Sequence, residues 1–126
     1  MIWLGRLMAA LVGLFSLGLG LNALFAPDAL AASLGVEAVS DLGRSALRAD
    51  LGAFFLASAV AAAGALFASR PGWLYGAALL YGLALGGRLI DMLLAGVPEG
   101  VMAPLVIETV MVGLSLFGAR ALDPAR

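Results

Sequence analysis

The stretch from Trp73 to Leu122 reads WLYGAALLYGLALGGRLIDMLLAGVPEGVMAPLVIETVMVGLSLFGARAL. It holds two apolar runs, 73–95 and about 101–122, separated by Gly96-Val97-Pro98 and a few polar residues. A helix needs roughly 20 apolar residues to cross the hydrocarbon of a bilayer, and each run is that long. Gly and Pro at the join end one helix before the next begins. So short a join makes the two helices neighbours running in opposite directions.

Two further runs precede this pair. One extends from about Ile2 to Ala26, with Arg6 near its start, and meets Pro27-Asp28. The other extends from about Ser45 to Ser69 and stops at Arg70-Pro71-Gly72. The first exceeds the roughly 7–15 apolar residues of a signal peptide, so it reads as a retained membrane helix. The expected architecture is all-α. Residues 1–126 form one transmembrane domain, a four-helix up-down-up-down bundle with helices at about 2–26, 45–69, 73–95 and 101–122. The connection 27–44 is the only long one. Within it Leu30 and Leu34 lie four apart, which gives the segment Ala29–Leu34 one apolar side and predicts a short interfacial helix.

Composition agrees. Hydrophobic residues make up 63% of the 126-residue chain, against about 45–50% in a soluble domain. Mean hydropathy is +1.10. A chain this small has no interior large enough to hide that excess. Net charge is −1, which supplies no basic footprint for nucleic acid. Cys and His are absent, which excludes disulfides, thiolate zinc sites, iron–sulfur clusters and imidazole-ligated haem. Lys is absent too, so Schiff-base chemistry is excluded. No metal or cofactor is expected. Arg without Lys, beside abundant Ala, Gly and Leu, suggests a GC-rich bacterial genome.

Orientation follows from Arg placement, because cytoplasmic loops are enriched in Lys and Arg. With four spans, both termini share a side with the second join. That side carries Arg6, Arg70, Arg120 and Arg126, with Asp123 its only acid. The other side carries Arg44 among Asp28, Glu37, Asp41 and Glu99. Both termini are therefore expected in the cytoplasm of a bacterial inner membrane. The connection 27–44 then faces outward. Trp3, Trp73 and Tyr75 read as interfacial anchors.

Small residues at four-residue spacing let helices approach closely in lipid. Ala78, Gly82 and Gly86 form one such series, and Ala49, Ala53, Ala57, Ala61 and Ala65 another. Gly13, Gly18, Gly20 and Gly113 fit the same pattern. The bland reading is packing within the bundle. The sharper one is a seam for a second copy, that is, a homo-oligomer.

The informative residues are charges inside apolar helices. Each costs at least about 2.5–3.5 kcal/mol near a helix centre on insertion scales, so it persists when paired, solvated or used. Arg88 lies about seven residues before the outer end of the third helix, and Glu108 about seven residues after the outer start of the fourth. At about 1.5 Å per residue both sit roughly 10 Å deep, so they are expected to pair. Asp91, three residues on, shares the Arg88 face. Arg48, Asp50 and Asn22 fall in the same outer half. Tyr81 and Ser115 lie two turns deeper than Arg88 and Glu108, and Phe55 and Ser58 lie below Arg48. Together these outline a pocket with a charged mouth and an apolar floor.

Three readings remain open. In the first, Asn22, Arg48, Tyr81, Arg88, Asp91 and Glu108 bind a lipid, a quinone-like molecule or another amphipathic anion. In the second, the charges are ion pairs that fix helix register or dock a partner. In the third, Glu108 is the acid or base of a proton-transfer isomerase, with Arg88 and Arg48 holding an anionic oxygen. A conduction path needs polar groups at several depths, and the inner half offers few. The first-helix carboxylate used by small multidrug transporters is missing.

The order of Leu24-Phe25-Ala26-Pro27, then Arg48 and Gly52, then Gly87-Arg88 and Glu108 resembles a family of bacterial four-helix membrane proteins known only as a domain of unknown function. The resemblance spans nearly the whole chain. It implies the fold and a membrane location, and no activity, substrate or cofactor. The family's polar signature falls on Arg48, Arg88 and Glu108.

Overall fold

Among the described residues of the computed structural model, which are all but 124 and 126, the chain is helical and has no strand. Four helices are long and apolar enough to cross a membrane: α1 (Ile2–Phe25), α3 (Asp41–Phe67), α4 (Trp73–Ala95) and α5 (Met102–Leu122). The fifth, α2 (Pro27–Ser33), is short. The expectation of a multi-pass membrane protein built from a helical bundle rests on these four.

Local chemistry sets the ends. Pro27 cannot donate a backbone hydrogen bond, so α1 stops at Phe25 and the ring opens α2 instead. α3 begins at Asp41, four residues before the expected start. Ser40 is extended, and its Oγ accepts from the Gly43 N–H at 3.0 Å. Asp41 adds negative charge at the positive end of the helix dipole. α3 also ends two residues early, because Ser69 takes a left-handed φ of +51°. Gly96, at φ +87°, closes α4.

The four long helices form a ring in which α1 touches α3 and α5, and α4 touches the same two. α1 against α3 is the most extensive contact. Gly13 faces Ala62, Gly20 faces Leu56, and Gly52 faces Leu24. A Cβ on Gly20 would lie 2.6 Å from Leu56 Cδ2, so any larger residue here would force the Leu56 side chain to move. Across the other seams Gly118 meets Met8 and Leu74, Gly82 faces Val112, and Gly64 lies under the Trp73 ring.

The alanine series of α3 does not form one seam. Ala61 and Ala65 are buried, whereas Ala49, Ala53 and Ala57 are exposed. A four-residue step overshoots one helical turn by about 40°, so five such residues wrap around the helix rather than line it. Gly18, Gly86 and Gly113 likewise have open space beside them.

The core is built of small residues (Ala9, Ala62, Ala77, Ala119) around Leu74, Phe55, Met111 and Tyr81. Large apolar side chains point the other way: Leu14, Leu83, Leu93 and Phe117 are all well exposed. This inversion is stable only where the surrounding solvent is itself apolar.

Candidate functional site

Arg88 and Glu108 meet across the α4–α5 seam. Arg88 Nε donates to Glu108 Oε1 at 2.8 Å. The two partners differ in exposure: the Glu108 side chain is 11% exposed and that of Arg88 34%. Glu108 Oε2 is buried and has no partner among the described residues. Arg88 engages through Nε alone, so its two terminal nitrogens are left out of the pair. Leu89, Ile90 and Leu93 are exposed on the other faces of the same stretch of α4. A partly exposed guanidinium therefore emerges at the α4–α5 seam of a bundle whose outer surface is largely aliphatic.

Arg48 does something different. Its Nε donates to the Leu24 carbonyl at 2.8 Å. Leu24 is among the last four residues of α1, whose carbonyls have no partner within the helix. The Asn22 carbonyl is satisfied by the Ala26 N–H. Arg48 satisfies that of Leu24, and its positive charge suits the negative end of the helix dipole. In hydrocarbon an unsatisfied carbonyl costs several kcal/mol, so this bond stabilises the α1–α2–α3 corner. The corner unites Leu24, Phe25, Ala26, Pro27, Arg48 and Gly52, residues far apart in sequence. It lies on the α1–α3 seam, across the ring from the α4–α5 seam that holds Arg88.

Tyr81 is buried in the middle of the bundle. Its hydroxyl and that of Ser16 are 2.7 Å apart, tying α4 to α1 across the ring. Phe54 packs edge-on against the Tyr81 ring at 5.2 Å and against Phe55 at 5.0 Å. Ser58 is fully buried and donates to the Phe54 carbonyl at 3.0 Å. Ser115 is also buried, and its hydroxyl is unpartnered among the described residues. The expected pocket floor, formed by Phe55, Ser58, Tyr81 and Ser115, is packed core. Its hydroxyls, with that of Ser16, are buried in the middle of the bundle.

The six expected ligand-binding residues thus separate into groups. Arg88 and Glu108 are together. Asp91 lies three residues beyond Arg88, exposed and in no ion pair among the described residues. Asn22 is exposed on α1. Arg48 caps α1, and Tyr81 is in the core.

Two features were not anticipated. Ser16 is one; its only sequence signal is a hydroxyl in the apolar stretch between Arg6 and Asn22 of α1. The other is Arg44, which donates from Nε to both carboxylate oxygens of Asp28 and from Nη1 to Asp41 at 2.8 Å. The spacing of Asp41 and Arg44 signals half of this cluster. It fastens α2 to the start of α3 beside a groove of about 570 Å3 lined by Ala32, Gly35, Val36 and Glu37. The ion pairs are solvent-exposed, where such pairs contribute about 0–1 kcal/mol.

Comparison with protein-family models, with curated proteins and with solved structures finds no match to this chain.

Proposed function

We propose that this chain is a multi-pass protein of a bacterial inner membrane that holds the anionic group of an amphipathic molecule at Arg88, beside Glu108. Its long helices run up-down-up-down with both termini in the cytoplasm. The charged end of the bundle then faces outward. The residue pairings 24 with 48, 54 with 81 and 88 with 108 support the alternation. The Arg bias of the opposite end supports the orientation, and the Lys-free composition supports the bacterial source. Membership of the bacterial four-helix family belongs to the same proposal.

One observation carries the binding reading. Arg88 is held side-on by a buried carboxylate, with its terminal nitrogens outside the pair. At hydrocarbon depth those donors need an acceptor, and a planar guanidinium suits a phosphate or carboxylate. Asn22, Arg48 and Tyr81 take no part in this site.

A second reading has its own support. Arg48 spends its Nε on the end of α1, so an intramembrane charge in this protein can be structural. On that reading the Arg88–Glu108 pair only sets the register of α4 against α5, in an accessory subunit.

Native mass spectrometry of the detergent-extracted protein separates the two. The first reading expects bound lipid-sized adducts on the wild type and their loss from Arg88→Gln/Glu108→Gln, which keeps a neutral hydrogen-bonding pair. Equal adducts on both proteins favour the second. The same spectra give the copy number, and so test the homo-oligomer.

A further inference from the structure

We infer that the ligand is a zwitterionic phospholipid bearing a primary ammonium, with its phosphate on Arg88 and its ammonium on Asp91. The inference rests on the reading of Arg88 as a headgroup site and goes on to name the headgroup.

The argument begins with the order of charges along α4. Asp91 follows Arg88 by three residues, so the two are neighbours on one face. It is nearer the helix end at Ala95 by about 4.5 Å of rise. A phospholipid in the leaflet at this end of the bundle presents its charges in the same order. The phosphate lies next to the acyl chains, and the ammonium lies further out toward water. Arg88 is the deeper, cationic residue and Asp91 the shallower, anionic one.

Charge balance selects among headgroups. Arg88 is already matched by Glu108. Asp91 then makes the local sum negative, and it is exposed with no ion pair among the described residues. A purely anionic headgroup would satisfy Arg88 but leave Asp91 unmatched and repelled. A zwitterion satisfies both.

The surrounding residues select among zwitterions. Quaternary ammonium groups are recognised by aromatic faces, and α4 has no aromatic residue between Gly82 and Ala95. A primary ammonium instead donates hydrogen bonds to a carboxylate, which Asp91 offers.

The test uses the full chain in nanodiscs with equal parts phosphatidylethanolamine, phosphatidylcholine and phosphatidylglycerol. The lipid retained after extraction into detergent is then identified by mass. Wild type is expected to retain the ethanolamine lipid about tenfold over each of the others, the discrimination one charge-assisted hydrogen bond gives. Asp91→Asn should lose that preference, and Asp91→Glu should keep it. No headgroup preference in the wild type overturns the inference, as does a preference that survives in Asp91→Asn. The Arg88→Gln/Glu108→Gln protein shows which level has failed. If it loses retained lipid while Asp91→Asn keeps its preference, the headgroup assignment alone is wrong. If it retains as much lipid as wild type, the binding site is wrong as well.

Discussion

Arg88→Ala is expected to lower the stability of the folded bundle by about 3 kcal/mol, because breaking a buried ion pair leaves the remaining charge uncompensated. Glu108 is the partner left behind. Its carboxylate is mostly buried, and Oε2 already lacks a hydrogen bond among the described residues. Removing the Nε donor would leave both oxygens unmatched in a low-dielectric seam. The figure is at the low end of the range for such losses because Arg88 itself is partly exposed. Arg88→Met/Glu108→Met should recover most of the loss, since neither methionine carries a charge to compensate. Equilibrium unfolding in mixed detergent micelles measures both. A harmless Arg88→Ala would mean that Glu108 is solvated in a way its burial does not suggest.

Tyr81→Ala is expected to cost about 3–5 kcal/mol, the usual loss for deleting a large buried aromatic side chain. Tyr81 is 2% exposed, packs edge-on against Phe54 and pairs its hydroxyl with Ser16. The core cluster that contains it is rich in alanine, with Ala61, Ala62 and Ala77 among its members, and these are too small to fill the void. Tyr81→Phe separates the two contributions. It keeps the ring and leaves the Ser16 hydroxyl without its partner, for an expected loss of about 1 kcal/mol. Thermal unfolding in detergent ranks the three proteins. Equal losses for Phe and Ala would show that the hydroxyl pair, rather than the ring, holds α1 to α4.

These two residues also show what could be read from the sequence and what could not. The depth of Arg88 and Glu108 follows from counting residues to the Gly- and Pro-marked ends of α4 and α5, and depth alone brought them together. Azimuth is harder. Arg48 shares that depth, but its direction depends on where α1 breaks and which carbonyl the break frees. The alanine series of α3 failed for a related reason: equal spacing is not equal direction over several turns. Ser40-Asp41 carried a legible helix-start signal, which moved α3 back by a turn. Ser16 carried almost none, because a serine within a membrane helix often bonds its own preceding turn, as Ser58 does with Phe54. Its pairing with Tyr81 depends on the diagonal of the ring, which no local pattern encodes.

The charged end of the bundle accordingly holds two separate devices. One is a corner, where Arg48 closes the end of α1 and Gly52 admits Leu24. The other is the α4–α5 seam, where a buried carboxylate presents a guanidinium to the side. Both guanidiniums engage through Nε alone, but only the second stands beside a buried carboxylate that has an oxygen unmatched among the described residues. Its chemical meaning depends on depth, because the same guanidinium in water would be an ordinary solvated surface charge.

Depth beside Arg88 is therefore the decisive quantity. The chain contains no Cys, so single cysteines at Ile90, Val106 and Val39, all exposed, can each carry a nitroxide spin label. Power-saturation electron paramagnetic resonance in lipid bilayers then compares collisions with oxygen, which partitions into hydrocarbon, and with a water-soluble nickel complex. The labels at 90 and 106, each two residues nearer the 96–101 join than the ion pair, should favour oxygen to a similar degree, while that at 39 should favour nickel. Nickel-dominated relaxation at 90 and 106 would put Arg88 and Glu108 in water and contradict the account.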